Sequence, residues 1–155
     1  MSEFDPSAFL DATTTEALVK RPPLPAGSSF VGIIGEPQTR SWTGKKDPTK
    51  SGIAVDLKIE IDLTAYPDTL DKLGGTPKVT LQDSIMLDLK DDGRTIDYGP
   101  GKNAKLRRYR EALGLNEPGK PFSIRQLQGM LILVKIKHRE YENELYDEVD
   151  SVAKA

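Results

Sequence analysis

The chain has no cysteine and a single histidine, His138. The first absence excludes disulfides, a thiolate nucleophile and thiolate metal sites. The second excludes most histidine-based metal centres and leaves little for a catalytic triad. Aromatic residues are scarce, 6% of 155 positions with Trp42 the lone tryptophan, so any stacking surface must be built from few side chains. No apolar run approaches the length of a membrane span, and the N-terminus lacks the cationic and apolar regions of a signal peptide, so a cytoplasmic location is expected. Neither sign of charge dominates. With 22 Lys and Arg against 24 Asp and Glu the net charge is −2, which excludes a polycation and confines any polyanion site to a local patch.

What is present is organised around residues 102–141. Leu106, Tyr109 and Leu113 recur at helical spacing, while Lys102, Lys105, Arg107, Arg108 and Arg110 fill most other positions, so one face packs and the rest is cationic. Gly114 stands where a left-handed C-cap ends a helix, with Leu115 folding back. Ser123 and Gln126 have capping-box spacing, flanked by Phe122 and Leu127. The apolar run 130–137 then reads as a strand. Ile132, Val134 and Ile136 lie on one face and Lys135 and Lys137 on the other.

Upstream, residues 1–27 read as an arm. Asp5 and Pro6 suit the start of a short helix, Phe4 and Phe9 a staple across it, and the run from Pro22 to Pro25 an extended stretch. Its apolar residues Phe4, Phe9, Leu10 and Leu18 are expected to dock on the domain or on a second copy. Residues 28–155 form the domain. Strands are predicted at 29–34, 52–63, 78–89, 130–137 and 144–152, the last two joined by a tight turn at Glu142 and Asn143. Residues 35–51 read as a long loop, which in a compact domain is usually functional or disordered. The expectation is a mainly β domain: a five-stranded OB-fold barrel with its one substantial helix between strands 3 and 4.

The pattern of 106–116 (LRRYREALGLN), 122–141 (FSIRQLQGMLILVKIKHREY) and 143–152 (NELYDEVDSV) resembles the C-terminal half of phage-encoded OB-fold single-stranded DNA-binding proteins. The resemblance rests on a helix, an L-x-G approach to a strand, a V-K-x-K strand end, a hairpin and E-V-x-S-V. It implies a small protein that coats exposed strands during phage replication or recombination, with replication or recombination proteins as partners. Many such proteins end in an acidic recruiting tail. This chain ends Ala153, Lys154, Ala155, so recruitment through a tail is not expected.

Single strands are held by cations that neutralise phosphates and by aromatic faces on which bases stack. Trp42, with Arg40, Lys45, Lys46 and Lys50 around it, supplies both in the long loop. The alternative is that Trp42 folds back to cap the barrel. Lys102, Lys105, Arg107 and Arg108 form a second patch, whose alternative is an ordinary solvated helix face. Tyr98 is a candidate stacker, Lys58 a candidate groove residue, and Tyr109 belongs with the core. Single-stranded DNA is the expected ligand, with RNA left open, and self-association through the arm is a further expectation.

No catalytic residue, metal or cofactor is expected. Asp88, Asp91, Asp92 and Asp97 lack EF-hand spacing, the Gly-Pro-Gly-Lys of 99–102 lacks P-loop spacing, and His138 reads as a structural or solvated side chain. The rival reading is an OB-fold protein-interaction module without nucleic acid, supported by the acidic cluster from Glu140 to Asp150.

Overall fold

Apolar residues at every second position from Ile53 to Leu63 produce the longest strand, because that period puts one set of side chains on one face. In the computed structural model, which describes residues 4–155, this strand is β3 (Ser51–Asp62). Val55, Leu57, Ile59 and Ile61 are buried, and Lys58, Glu60 and Asp62 are exposed. Around it stand β1 (Ser29–Ile34), β2 (Gln38–Thr43), β4 (Lys78–Met86), β5 (Leu131–Tyr141) and β6 (Glu144–Lys154). The helices are short: α1 (Pro6–Asp11), α2 (Pro67–Lys72) and α3 (Ala104–Ala112).

All six strands join one antiparallel sheet. One edge of β3 carries β4 from Ala54↔Met86 to Asp62↔Lys78. Its other edge is shared: β2 pairs with the first half and β1 with the second. β1 also pairs with β5, and β5 with β6. The chain bends between β1 and β2 at Gly35, whose N–H donates to Lys58 O (2.8 Å).

Two sequence expectations change here. Among the described residues there are six strands, since residues 38–43 of the anticipated loop form β2. The sheet is also not a closed barrel. β4 and β6 flank a cavity of about 200 Å³ and share no ladder hydrogen bonds. The physical reason lies in that seam. β6 is bulged at Asp150, because Lys135 faces Ser151 while Ile136 faces Val149. Lys105, Arg108 and Tyr109 of α3 line the gap together with Asp83 of β4.

The ends of α3 follow their local signals. Gly114 has φ +70°, and Leu115 N–H reaches back to Arg110 O (2.7 Å). Gln126 Oε1 accepts from Ser123 N–H (2.7 Å) ahead of a 3-10 turn at Ile124–Leu127. Leu106, Tyr109 and Leu127 are buried and join Phe30, Ile34 and Ile132 in the core. Glu142 and Asn143 both have positive φ, as the tight hairpin turn between β5 and β6 requires.

The first three residues of the anticipated arm lie outside the described residues. From Phe4 on, the arm divides. Phe4 and Phe9 pack on one another across α1 (centroids 5.3 Å apart) and Asp5 caps it, but Phe4, Phe9, Leu10 and Leu18 remain exposed rather than docked on the domain. Attachment begins at Lys20, which lies over the Tyr146 ring and donates to Leu145 O. Arg21 grips Asp147 with both terminal nitrogens (2.6 and 3.0 Å), Leu24 N–H donates to the same carboxylate (2.7 Å), and Leu24 is fully buried. His138 Nε2 holds Leu24 O at 2.6 Å, the structural one of the two roles open to it from the sequence.

Burial alone would push the Asp147 carboxyl up. The Arg21 guanidinium and the Leu24 N–H outweigh it and hold the group below its usual range. A depressed folded-state pKa contributes stability above the unfolded value, about 4, and loses it as pH falls through the folded one. The clasp is therefore expected to hold at neutral pH and to open below about pH 4. Asp147→Asn should loosen it at neutral pH by about 1 to 3 kcal/mol. The check is the rate of tryptic cleavage after Lys20 at neutral pH. Equal rates in the variant and the parent would show that Leu24 burial alone holds the arm.

Candidate nucleic-acid interface

β2 reads QTRSWT and has no apolar face, yet it pairs with β3 residue for residue from Gln38↔Asp56 to Thr43↔Ser51. The anticipated loop shrinks to a hairpin tip. There Gly44 N–H donates to Lys50 O (2.8 Å), and Asp47 Oδ1 accepts from Thr49 N–H (3.1 Å). Lys45, Lys46 and Lys50 are exposed on that tip, and none has a carboxylate partner among the described residues.

Directly opposed residues of an antiparallel ladder share a face. The face of β3 turned away from the core therefore carries rows that cross the sheet. They are Trp42 with Gly52, Arg40 with Ala54 and Met86, Gln38 with Asp56 and Ser84, and Lys58 with Gln82. Met86 of β4 and Ile33 of β1 are about half exposed, at 48% and 49%. The surface thus combines apolar and cationic groups.

Trp42 neither hangs in a loop nor caps the core. Its half-buried indole lies flat across Gly52, where a Cβ would come within 2.8 Å of the ring. Its Nε1 is buried and has no hydrogen-bond partner among the described residues. Any side chain at Gly52 would lift the ring. Beside Trp42 opens a cleft of about 550 Å³ whose other wall is the segment after β4, including Leu87, Lys90 and Lys102.

The remaining cations differ in how far they are engaged. Arg40 Nε contacts Asp56 Oδ2 (2.8 Å), and Ser84 Oγ donates to Asp56 Oδ1 (2.5 Å). The Ser84 hydroxyl, ahead of Arg40 and against the opposing effect of burial, keeps the Asp56 carboxyl below its usual range. Lys58 is exposed, and neighbouring Glu60 faces Lys78 at 3.5 Å. Lys105 is anchored to Asp83 Oδ1 (2.7 Å) and Ser84 O (2.8 Å), so its ammonium serves the seam. Arg107 lies 3.6 Å from Glu111 on its own helix, and Arg108 is exposed at the rim of the seam. Tyr98 is 56% exposed, whereas Tyr109 is buried in the core as anticipated.

Two residues that sequence reading passed over hold the site's frame. Asp83 is buried and accepts from Tyr109 OH (2.5 Å) as well as from Lys105. The signal was its parity, since it follows Val79 and Leu81 and precedes Ile85 on the core-facing side of β4. Asn103 is buried with φ +51°. Its side chain accepts from Asp88 N–H (2.8 Å) and donates to Asp88 O (3.0 Å) and Asp97 O (2.8 Å).

Three of the four aspartates of this loop, Asp88, Asp92 and Asp97, accept from backbone N–H groups. Asp88 Oδ2 accepts from Asn103 N–H (2.7 Å) and Asp97 Oδ1 from Gly99 N–H (2.9 Å). Asp92 accepts from the Thr95 hydroxyl and from two backbone N–H groups, which lower its carboxyl to about 2. Among the described residues no acidic or histidine cluster is placed to hold a metal ion. No helix among them is long and apolar enough to cross a membrane. Compared with known protein families and with curated proteins, the sequence matches no family model and no curated relative.

Proposed function

We propose that the chain is a non-enzymatic single-stranded DNA-binding protein with an OB-type fold, of the kind phages use to coat exposed strands in replication or recombination. The observation that carries this reading is Trp42, laid on Gly52 beside a cleft whose surroundings carry Lys90, Lys102 and the lysine-tipped hairpin. A flat ring on a sheet next to exposed cations is what sequence-tolerant strand binding uses, one base stacking while phosphates meet lysines.

The ladder order supports the fold part. β1 and β2 act as two halves of one bent first strand, followed by the β3 and β4 meander, α3, and the β5 and β6 hairpin, with β5 returning to β1. This order favours an OB-type reading, with the open seam between β4 and β6 as the departure from it. Such folds bind strands across the face of their second and third strands, here β3 and β4. Asp56 and Glu60 on that face are offset by Arg40 and Lys78.

Titration with oligothymidylate at low salt should quench the Trp42 fluorescence, and the affinity should fall as salt rises. Trp42→Ala should lose roughly tenfold or more in affinity, the equivalent of one base stack. Replacing Lys45, Lys46 and Lys50 together by alanine should instead flatten the salt dependence, by about 0.7 in log–log slope for each phosphate no longer neutralised. No binding at low salt, by fluorescence and by gel shift, would overturn the reading and turn attention to protein partners of the exposed arm.

A further inference from the structure

Lys102 lines a second cavity, of about 250 Å³, besides the Trp42 cleft. It is formed by the loop from Tyr98 to Asn103, the first turns of α3, and Asn116. Its composition differs from that of its neighbours. The Trp42 cleft includes Asp88 and Asp91 and the seam cavity includes Asp83 and Asp150, whereas among the described residues no carboxylate lines this one. Asp97, just outside it, is turned onto Gly99 N–H.

Three cations and one exposed ring do line it. Lys102 has no carboxylate partner among the described residues, and the link between Arg107 and Glu111 is a long pair of exposed side chains that a phosphate would outcompete. Arg110 is fixed differently: its Nε donates to Leu115 O (3.0 Å) and its guanidinium lies 4.2 Å from the Phe122 centroid and 6.0 Å from that of Tyr98. Arg110 thus stands near the Tyr98 ring, which itself remains more than half exposed. Gly101, also in the lining, has φ +77° and open space where a Cβ would stand.

We propose that this cavity is a nucleotide subsite, in which a base lies against Tyr98 and its phosphate is held by Lys102 and Arg107. A phosphate alone would have no use for the ring, and a peptide carboxylate would need neither the ring nor a second cation. At about 250 Å³ the cavity lies just below the usual range of ligand pockets, which suits one partly exposed nucleotide rather than a larger cofactor. The nucleotide has two sources: a free monophosphate, or one unit of a bound strand, in which case the subsite rests on the strand-binding function and continues the track from Trp42 through Lys102.

The test is an amide NMR titration of the full chain with thymidine monophosphate, thymidine and inorganic phosphate. The monophosphate should shift the amides of Tyr98 to Asn103 and of Arg107 saturably, with thymidine and phosphate each roughly tenfold weaker or worse. Tyr98→Ala and Lys102→Ala should each lose roughly tenfold. If both variants also weaken oligothymidylate binding, the subsite serves the strand; if strand affinity is unchanged while the monophosphate no longer binds, it serves free nucleotide. Monophosphate binding without strand binding would leave the subsite standing and remove the strand-binding reading. No monophosphate response at these amides, with oligothymidylate still quenching Trp42, would overturn the subsite and leave that reading intact.

Discussion

Replacing Asp83 by alanine is expected to lower the unfolding free energy by about 3 kcal/mol, read as a fall in the urea midpoint at unchanged slope. Asp83 is 9% exposed on the core-facing side of β4 and is the common acceptor for Tyr109 OH at 2.5 Å and Lys105 Nζ at 2.7 Å. Hydrogen bonds to a charged group contribute about 1.5 to 3 kcal/mol each, and a buried hydroxyl left without a partner costs about 1 to 3. The total stays below the sum because Lys105 is partly exposed and regains water once Asp83 is gone. Burial first, and then the Asp83 charge, push the Tyr109 hydroxyl far above its usual range, so it remains a protonated donor wherever the protein is folded.

Variants of the partner separate the parts. Tyr109→Phe keeps the packing and leaves Asp83 paired with Lys105, at a cost of about 1.5 to 2 kcal/mol. A double-mutant cycle between Asp83→Ala and Tyr109→Phe should show coupling of about 1 to 2 kcal/mol. An Asp83→Ala cost below about 1 kcal/mol would mean that water already reaches the carboxylate through the seam between β4 and β6.

The seam also shows where sequence reading stops. β3 was legible because one of its faces is wet and the other dry, so period two is printed in its residue types. β2 was not, because both faces of QTRSWT are polar or open and its pairing is supplied by β3, a long-range partner that no local pattern reveals. Chain-local devices were read well: the Gly114 cap of α3, the Ser123 and Gln126 pair, and the turn at Glu142 and Asn143 each need only a few adjacent residues.

Side chains whose work depends on a distant partner were read less well. Lys105 belonged to a cationic helix face by spacing, yet its partner Asp83 lies 22 residues away on β4. Asp147 looked like one charge in an acidic hairpin, whereas it is the clasp for Arg21, 126 residues distant. Of the candidate site, Trp42, Lys58, Tyr98 and Lys102 are exposed or border clefts, but that Trp42 lies on Gly52, and that Lys102 is common to two cavities, follows only from the register.

Asn103→Ala should destabilise the chain by about 3 to 4 kcal/mol, a fall of roughly 8 to 12 °C in Tm for a domain of this size. Two terms add. At φ +51° any residue with a Cβ other than asparagine or aspartate pays about 1 kcal/mol or more. The side chain's three hydrogen bonds, to Asp88 N–H, Asp88 O and Asp97 O, contribute about 1 kcal/mol each. Asn103→Gly isolates the second term, because glycine accepts the backbone conformation, and should be milder than alanine by about 1 kcal/mol. Asn103→Asp keeps the acceptor but sets a carboxylate against two carbonyl oxygens, with the Asp88 carboxylate on its own N–H. It should be at least as damaging as glycine despite preserving shape. The same substitutions should loosen residues 88–97 against the start of α3 and so disperse Tyr98 and Lys102. If Asn103→Gly retained full stability, the loop would be held by Asp88 and Asp97 alone, whose backbones are joined by the hydrogen bond from Asp97 N–H to Asp88 O at 2.9 Å.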